Sequence, residues 1–168
     1  MSSKHRAVVS ALAIAAFVIA GGGLAGASTF LKEDVNSLRK QSEAVVHAKV
    51  VDIRSYWDAD HAVIYTDVTL DVQGRLLGRA DNQIMVRVPG GTVGDFTVAM
   101  EGAPRFEMDD EVVAFIARWY DDVPMVAGYF QGLMKVQRDK LGNAFLRGGV
   151  ADGLPMSELA RQLRQSGR

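Results

Sequence analysis

The feature that most constrains the fold is an alternation in residues 64–72, IYTDVTLDV. Apolar or β-branched side chains occupy every second position, and acids, threonine or tyrosine lie between them. A period of two is the period of a β-strand, whose successive side chains point to opposite faces of a sheet. We therefore expect one face of this strand to be buried and the other to meet water, as in antiparallel sheets.

The same pattern recurs along most of the chain. Residues 44–57 predict a long strand with Val46, Ala48 and Val50 on one side. Further runs follow at residues 83–88, 96–100, 111–120, 126–138 and 144–147, separated by turns rich in glycine, proline or aspartate. About six or seven strands in this arrangement are typical of a small antiparallel barrel or sandwich.

Short helices are expected on either side of the strands. Residues 28–43 predict an N-terminal helix with Ser28 or Thr29 as its cap. Residues 149–168 predict a C-terminal helix with Ser157 as its cap. No internal repeat or low-complexity linker divides residues 44–148, so we expect one domain there.

Residues 1–27 predict a signal peptide of the Sec type. Lys4 and Arg6 precede an apolar run at residues 7–20, which is followed by glycines and by Ala25-Gly26-Ala27, a small-residue cleavage site. The alternative is a transmembrane anchor, but the run reaches spanning length only if its glycines are counted. The sequence therefore predicts a periplasmic or extracellular protein with no stable membrane anchor after cleavage.

Charge and cysteine content exclude several classes of function. Loss of Lys4 and Arg6 with the signal changes the formal net charge from −1 to −3. A slightly acidic chain has no electrostatic reason to bind nucleic acid. The sequence contains no cysteine, which excludes disulfides and any cysteine-based catalysis or metal site.

Three stretches carry a resemblance to a known family: AVVHAKVVDI, IYTDVTLDVQGRLLG and FEMDDEVVAFIARW. Their order resembles the netrin-like OB-fold domains that include the tissue inhibitors of metalloproteinases, and also exported bacterial proteins with this succession of strands and a VPGGTVG loop. The resemblance covers about residues 44–138. It implies an OB-like β-barrel of about six strands over residues 44–148, plus the C-terminal helix. The family's inhibitors use an amino-terminal cysteine that this chain lacks, so no inhibitory residue carries over.

The richest cluster of chemical groups is SYWDADH, residues 55–61. Two aromatic rings and two acids beside a histidine are suited to a partner contact or to a metal, whereas the plain alternative is a turn between strands. The acids lack the glycine and distal glutamate of a calcium loop, so we predict no metal and no cofactor. The VPGGTVG loop lacks the pattern of a phosphate-binding loop and predicts a flexible loop or bulge. The candidate partner-binding residues are Tyr56, Trp57, Asp58, Asp60, His61, Gly90, Gly91, Thr92, Trp119 and Tyr120.

Catalytic motifs are missing from the sequence. There is no GxSxG, HExxH or SxxK pattern, and after signal removal the histidines are His47 and His61. His47 lies between inward residues of a strand, where a solvent-facing side chain is the expected position. We therefore predict no catalytic residue and an exported, non-enzymatic module for protein binding or self-assembly. The alternatives are a cysteine-free protease inhibitor and a small hydrolase or carbohydrate binder.

Overall fold

The computed structural model describes residues 31–118 and 122–165. The predicted signal peptide and the caps proposed at Ser28 and Thr29 lie outside these residues. The described chain forms two helices and nine strands, whose bounds are α1 Val35–Gln41, β1 Ala44–Trp57, β2 Ile64–Gly78, β3 Gln83–Pro89, β4 Gly91–Val93, β5 Phe96–Val98, β6 Glu111–Arg118, β7 Pro124–Val126, β8 Leu133–Arg138, β9 Ala144–Arg147 and α2 Met156–Gln165.

Seven of these strands form one sheet, in the order β3-β2-β1-β6-β8-β9, with β7 pairing β6 beside β8. Every paired neighbour is antiparallel. The prediction of a mostly antiparallel β protein with short flanking helices is confirmed. The sheet curls so that β3 and β7 come within 8 Å between Cα atoms, but they do not pair, and the sheet is not closed into a barrel. We call this unpaired boundary the seam.

The inner face of the curled sheet carries the first apolar cluster. Val46, Ala48 and Val50 are buried there, as the alternation of β1 predicts. They pack against branched residues from β2, β3 and β6 that follow the same period: Val68, Leu70, Val86, Val88, Val112, Ala114 and Ile116. Close packing of these side chains is the main stabilising contribution on this face.

The helices cover part of the outer face and enclose a second apolar cluster. Leu38 of α1 and Leu159 and Leu163 of α2 are buried there against Phe115. Helix α1 begins at Val35 because the Asp34 carboxylate accepts a hydrogen bond from the Ser37 backbone N–H at 2.7 Å. Helix α2 begins at Met156. The predicted cap Ser157 therefore lies inside the first turn, and that prediction was wrong.

Candidate functional site

A bulge at Val51 decides which way the aromatic residues of β1 point. Val51 has no partner on β2, although Val50 and Asp52 on either side of it do. Val50 faces the first apolar cluster, so an unbroken alternation would place Tyr56 on that inner face. The extra residue reverses the phase, as β-bulges do. Tyr56 consequently lies on the outer face and Trp57 on the inner face.

Tyr56 belongs to a compact group on the outer face, which we call the outer cluster: Tyr56, Tyr65, Asp67 and Arg87. The Arg87 guanidinium carbon lies 5.6 Å from the ring centroid of Tyr56 and the same distance from that of Tyr65. Its Nε donates to Asp67 Oδ1 at 2.9 Å, and the Tyr56 hydroxyl donates to the same oxygen at 3.2 Å. Partial burial, and then the charge of Asp67, raise the pKa of Tyr56. Cation, anion and rings thus satisfy one another within the chain.

The connection between β1 and β2 is a tight turn built on Asp58. One carboxylate oxygen of Asp58 accepts from the backbone N–H groups of Ala62 at 2.7 Å and Val63 at 3.1 Å. His61 has a φ of 53°, and its ring stacks on Trp57 with centroids 6.3 Å apart. Across the described residues, no three histidine or acidic side chains converge as metal ligands. Asp58 therefore shapes the turn, and Trp57 and His61 form its surface.

The VPGGTVG segment contains the end of β3 and the whole of β4, which forms a hairpin with β5. The prediction of a loop or bulge was therefore wrong for Gly91–Val93, which form a strand. Strands β4 and β5 pair through Gly91–Val98, Thr92–Thr97 and Val93–Phe96. Gly90 is buried, and its N–H donates to the Ile64 carbonyl at 2.8 Å. A Cβ on Gly91 would lie 2.2 Å from Thr66 Oγ1 and 2.5 Å from Ser55 Oγ. Gly90 and Gly91 thus attach the hairpin to the ends of β1 and β2, and a contact role falls to other residues of the hairpin.

The sequence pattern did not single out the exposed apolar side chains of β5 and of the residues after it as candidates for a site. Phe96 is 65% exposed, Val98 42% and Met100 47%. The Phe96 ring meets the Trp57 ring edge-on with centroids 5.9 Å apart, which brings the two predicted loops together. We call Trp57, His61, Phe96, Val98 and Met100 the hairpin patch. Exposed apolar side chains such as Phe96, Val98 and Met100, when they lie together, are a typical feature of interaction surfaces, which makes the patch a candidate.

A cavity of about 330 Å³ opens beneath the hairpin patch, and we call it the mouth. Its walls come from the inner face and from the hairpin, and most of them are apolar: Ile53, Val68, Val88, Pro89, Val98, Ala99, Met100, Ala103, Pro104 and Phe106 among them. Mostly apolar concave sites are where proteins accept ligands or the anchor side chains of partners. The mouth therefore extends the hairpin patch inwards.

The seam holds a larger cavity of about 740 Å³ with a more polar lining. Two of the three arginines that line it are engaged by neighbours in the chain: Arg75 donates to Ala80 O and Asn82 Oδ1, and Arg118 pairs with Glu43 and with Asp122. The third is Arg79, which is exposed. The predicted contact residues Trp119 and Tyr120 directly follow Arg118 and lie outside the described residues. The described part of the seam thus carries several charged groups, whereas the hairpin patch presents the exposed ring of Phe96 beside other apolar side chains.

His47 was predicted to face solvent, and that prediction was wrong. Its side chain is 13% exposed, and its Nε2 lies 2.6 Å from Glu111 Oε1. Arg138 also donates to the same oxygen of Glu111. His47 belongs to a charged network on the outer face, because its strand neighbour β6 places an acid beside it.

Comparison with known proteins does not indicate a function for this chain. No family model, curated protein or solved structure matches the chain. Within the described ranges, neither helix has the length and apolar character to cross a bilayer. The hairpin patch, which joins both predicted loops, is the candidate site.

Proposed function

We propose that this protein is an exported, non-enzymatic module that binds a partner protein through the hairpin patch. The observation that carries the proposal is the edge-on pair of half-buried Trp57 and exposed Phe96, continued by exposed Val98 and Met100 over an apolar mouth. Aromatic anchors beside a concave apolar site are the usual centre of a protein interface. Export is supported by the basic, apolar and small-residue order of residues 4–27.

The proposal includes an OB-like barrel as the scaffold. Six strands contribute buried residues to the first apolar cluster: β1, β2, β3, β6, β7 and β8. The seam lies between β3 and β7, which approach each other without pairing. A five-stranded, partly open barrel is the form that OB folds take, and their loop between the first two strands commonly takes part in binding. In this chain that loop is residues 58–63, at the border of the hairpin patch.

Affinity capture tests the proposal. The full chain is immobilised and exposed to envelope extract and culture fluid of the producing organism, in parallel with Trp57→Ala and Phe96→Ser. We expect a specific protein that both variants lose. The melting temperature of Phe96→Ser stays close to that of the wild type because Phe96 is exposed, whereas Trp57→Ala, at a half-buried residue, also lowers the melting temperature. Leu141→Ser is the matched control, since Leu141 is 88% exposed in a turn outside the patch. Equal capture by all four chains would remove the proposal.

A further inference from the structure

The two loops that form the hairpin patch carry charge of one sign. Residues 58–63 and 90–104 contain four carboxylates and no lysine or arginine: Asp58, Asp60, Asp95 and Glu101. None of the four belongs to an ion pair in the part of the chain that the structure describes. The acid of the outer cluster differs from these four, because Asp67 pairs with Arg87, whose guanidinium also lies against two tyrosine rings. The two loops therefore carry aromatic rings and four acids, and one arginine that lines the mouth, Arg105, directly follows them in the chain. The formal charge of this region is predominantly negative.

The backbone of β5 has a free edge beside this patch. Among the described strands, β5 pairs with β4 alone. A two-residue turn, Gly94-Asp95 with Gly94 at φ 58°, joins the strands, so the flanking pair Val93–Phe96 is the hydrogen-bonded one. The next pair, Thr92–Thr97, is then the non-hydrogen-bonded kind. The N–H and C=O of Thr97 consequently point away from β4 and are available to another strand.

The side chains along this edge suit an extended partner. Phe96, Val98 and Met100 follow one another at every second position, which is the spacing at which a neighbouring strand presents its own side chains on one face. A second copy of this chain is a poor occupant. Pairing β5 with its own copy would bring two sets of four carboxylates together against one arginine, Arg105, from each copy.

We propose that the free edge of β5 accepts an extended segment of a partner protein in which apolar residues alternate with lysine or arginine. The apolar side chains of the segment cover Phe96 and Val98, and its cations meet Asp95, Glu101 and the acids of the turn after β1. Backbone hydrogen bonds to Thr97 fix its direction, as in other cases of strand addition. This inference rests on the proposed function and names the chemistry of the partner.

Capped synthetic peptides test the inference on the full chain. The probe alternates lysine and valine, and its matched control alternates glutamate and valine. We expect the lysine peptide to bind, to shift the amide resonances of β5 most, and to weaken as salt is raised, while the glutamate peptide does not bind. Equal affinities for the two peptides would overturn the inference, and so would the failure of both to bind at about 1 mM.

Backbone pairing is tested by two further probes. One lysine–valine peptide is N-methylated at every lysine and the other at every valine, so each loses the amide hydrogens of one edge. Strand addition predicts that one of the two keeps its affinity and the other loses it. Equal behaviour of the two peptides would contradict pairing with the edge of β5.

Variants of the chain complete the test. Thr97→Pro removes the outward N–H of β5 at an edge position that tolerates proline, and Asp95→Lys places a cation beside Phe96. We expect each to weaken the lysine peptide about tenfold. Asp81→Asn, an exposed acid of the seam region, is the charge control and leaves the affinity unchanged. Loss of capture with Phe96→Ser together with failure of the peptides would remove this inference and leave the proposed function standing.

Discussion

Tyr56 and Trp57 are adjacent in the chain, yet they belong to two regions with opposite properties. In the outer cluster, Arg87 lies 5.6 Å from two ring centroids and pairs with Asp67 at 2.9 Å. In the hairpin patch, two rings meet edge-on and none of the described acids nearby is paired with a cation. Aromatic rings, an acid and a cation contact one another in the outer cluster, whereas the rings and acids near the hairpin make no such ion pair among the described residues.

The difference shows that composition alone does not identify a binding surface. Aromatic and charged side chains that satisfy one another stabilise the fold and have little left for a partner. Aromatic side chains that do not contact such groups within the chain stay exposed to water, which is unfavourable for their apolar surface. A partner removes that surface from water when it binds. The outer cluster is therefore expected to matter for stability and the hairpin patch for association.

The largest expected effect on stability is at Gly91, where the hairpin of β4 and β5 packs against β1 and β2. Gly91→Ala places a Cβ against Thr66 and Ser55 at a φ of 137°, which side chains rarely adopt. We expect a loss of about 2–4 kcal/mol in the free energy of unfolding, together with loss of partner capture. Chemical denaturation measures the first and affinity capture the second. Gly94→Ala is the control, because a Cβ there meets nothing within 4 Å, and a comparable loss in that variant would contradict the packing argument.

The next effect separates the two regions directly. Arg87→Met retains an apolar stem but removes the cation from Asp67 and both tyrosines, so we expect a loss of about 1–2 kcal/mol in stability. Phe96→Ser, in the hairpin patch, is expected to stay within about 0.5 kcal/mol of the wild type. Urea denaturation of the two variants provides the comparison. If Phe96→Ser were the more destabilising of the two, the assignment of stability to the outer cluster and binding to the patch would be reversed.

The sequence predicted the features that follow from the local period of two. It did not predict the features that depend on pairing between segments distant in the chain. The alternation in β2 and in the first half of β1 correctly predicted which residues are buried, because period two follows from backbone geometry. The bulge at Val51 has no local signature, and an unbroken alternation from Val50 would place Tyr56 on the inner face and Trp57 on the outer face, the reverse of what the structure shows. Only the pairing with β2 reveals it.

The hairpin shows the same limit at the candidate site. The Val93-Gly94-Asp95-Phe96 stretch has the form of a two-residue hairpin turn between apolar residues, and this signal could have identified β4 and β5 as a pair. The contact of Phe96 with Trp57 joins residues far apart in the chain and could not be predicted from local pattern. His47 was misplaced for a related reason, because its partner Glu111 comes from β6.

The smallest expected effect is a shift in the pKa of Tyr56, which tests whether Asp67 and Arg87 of the outer cluster act on this tyrosine. Burial and Asp67 raise the pKa of Tyr56 above 10.0, and Arg87 opposes them. Asp67→Asn should therefore lower this pKa and Arg87→Met should raise it further, measured by carbon NMR of labelled tyrosine rings. Because the pKa is raised in the folded state, its contribution to stability is complete below pH 10.0 and is lost as the pH rises through the folded pKa. Asp95→Asn, in the turn between β4 and β5, should leave the titration unchanged. Shifts of one sign in both Asp67→Asn and Arg87→Met would show that these side chains do not act on Tyr56 as an anion and a cation.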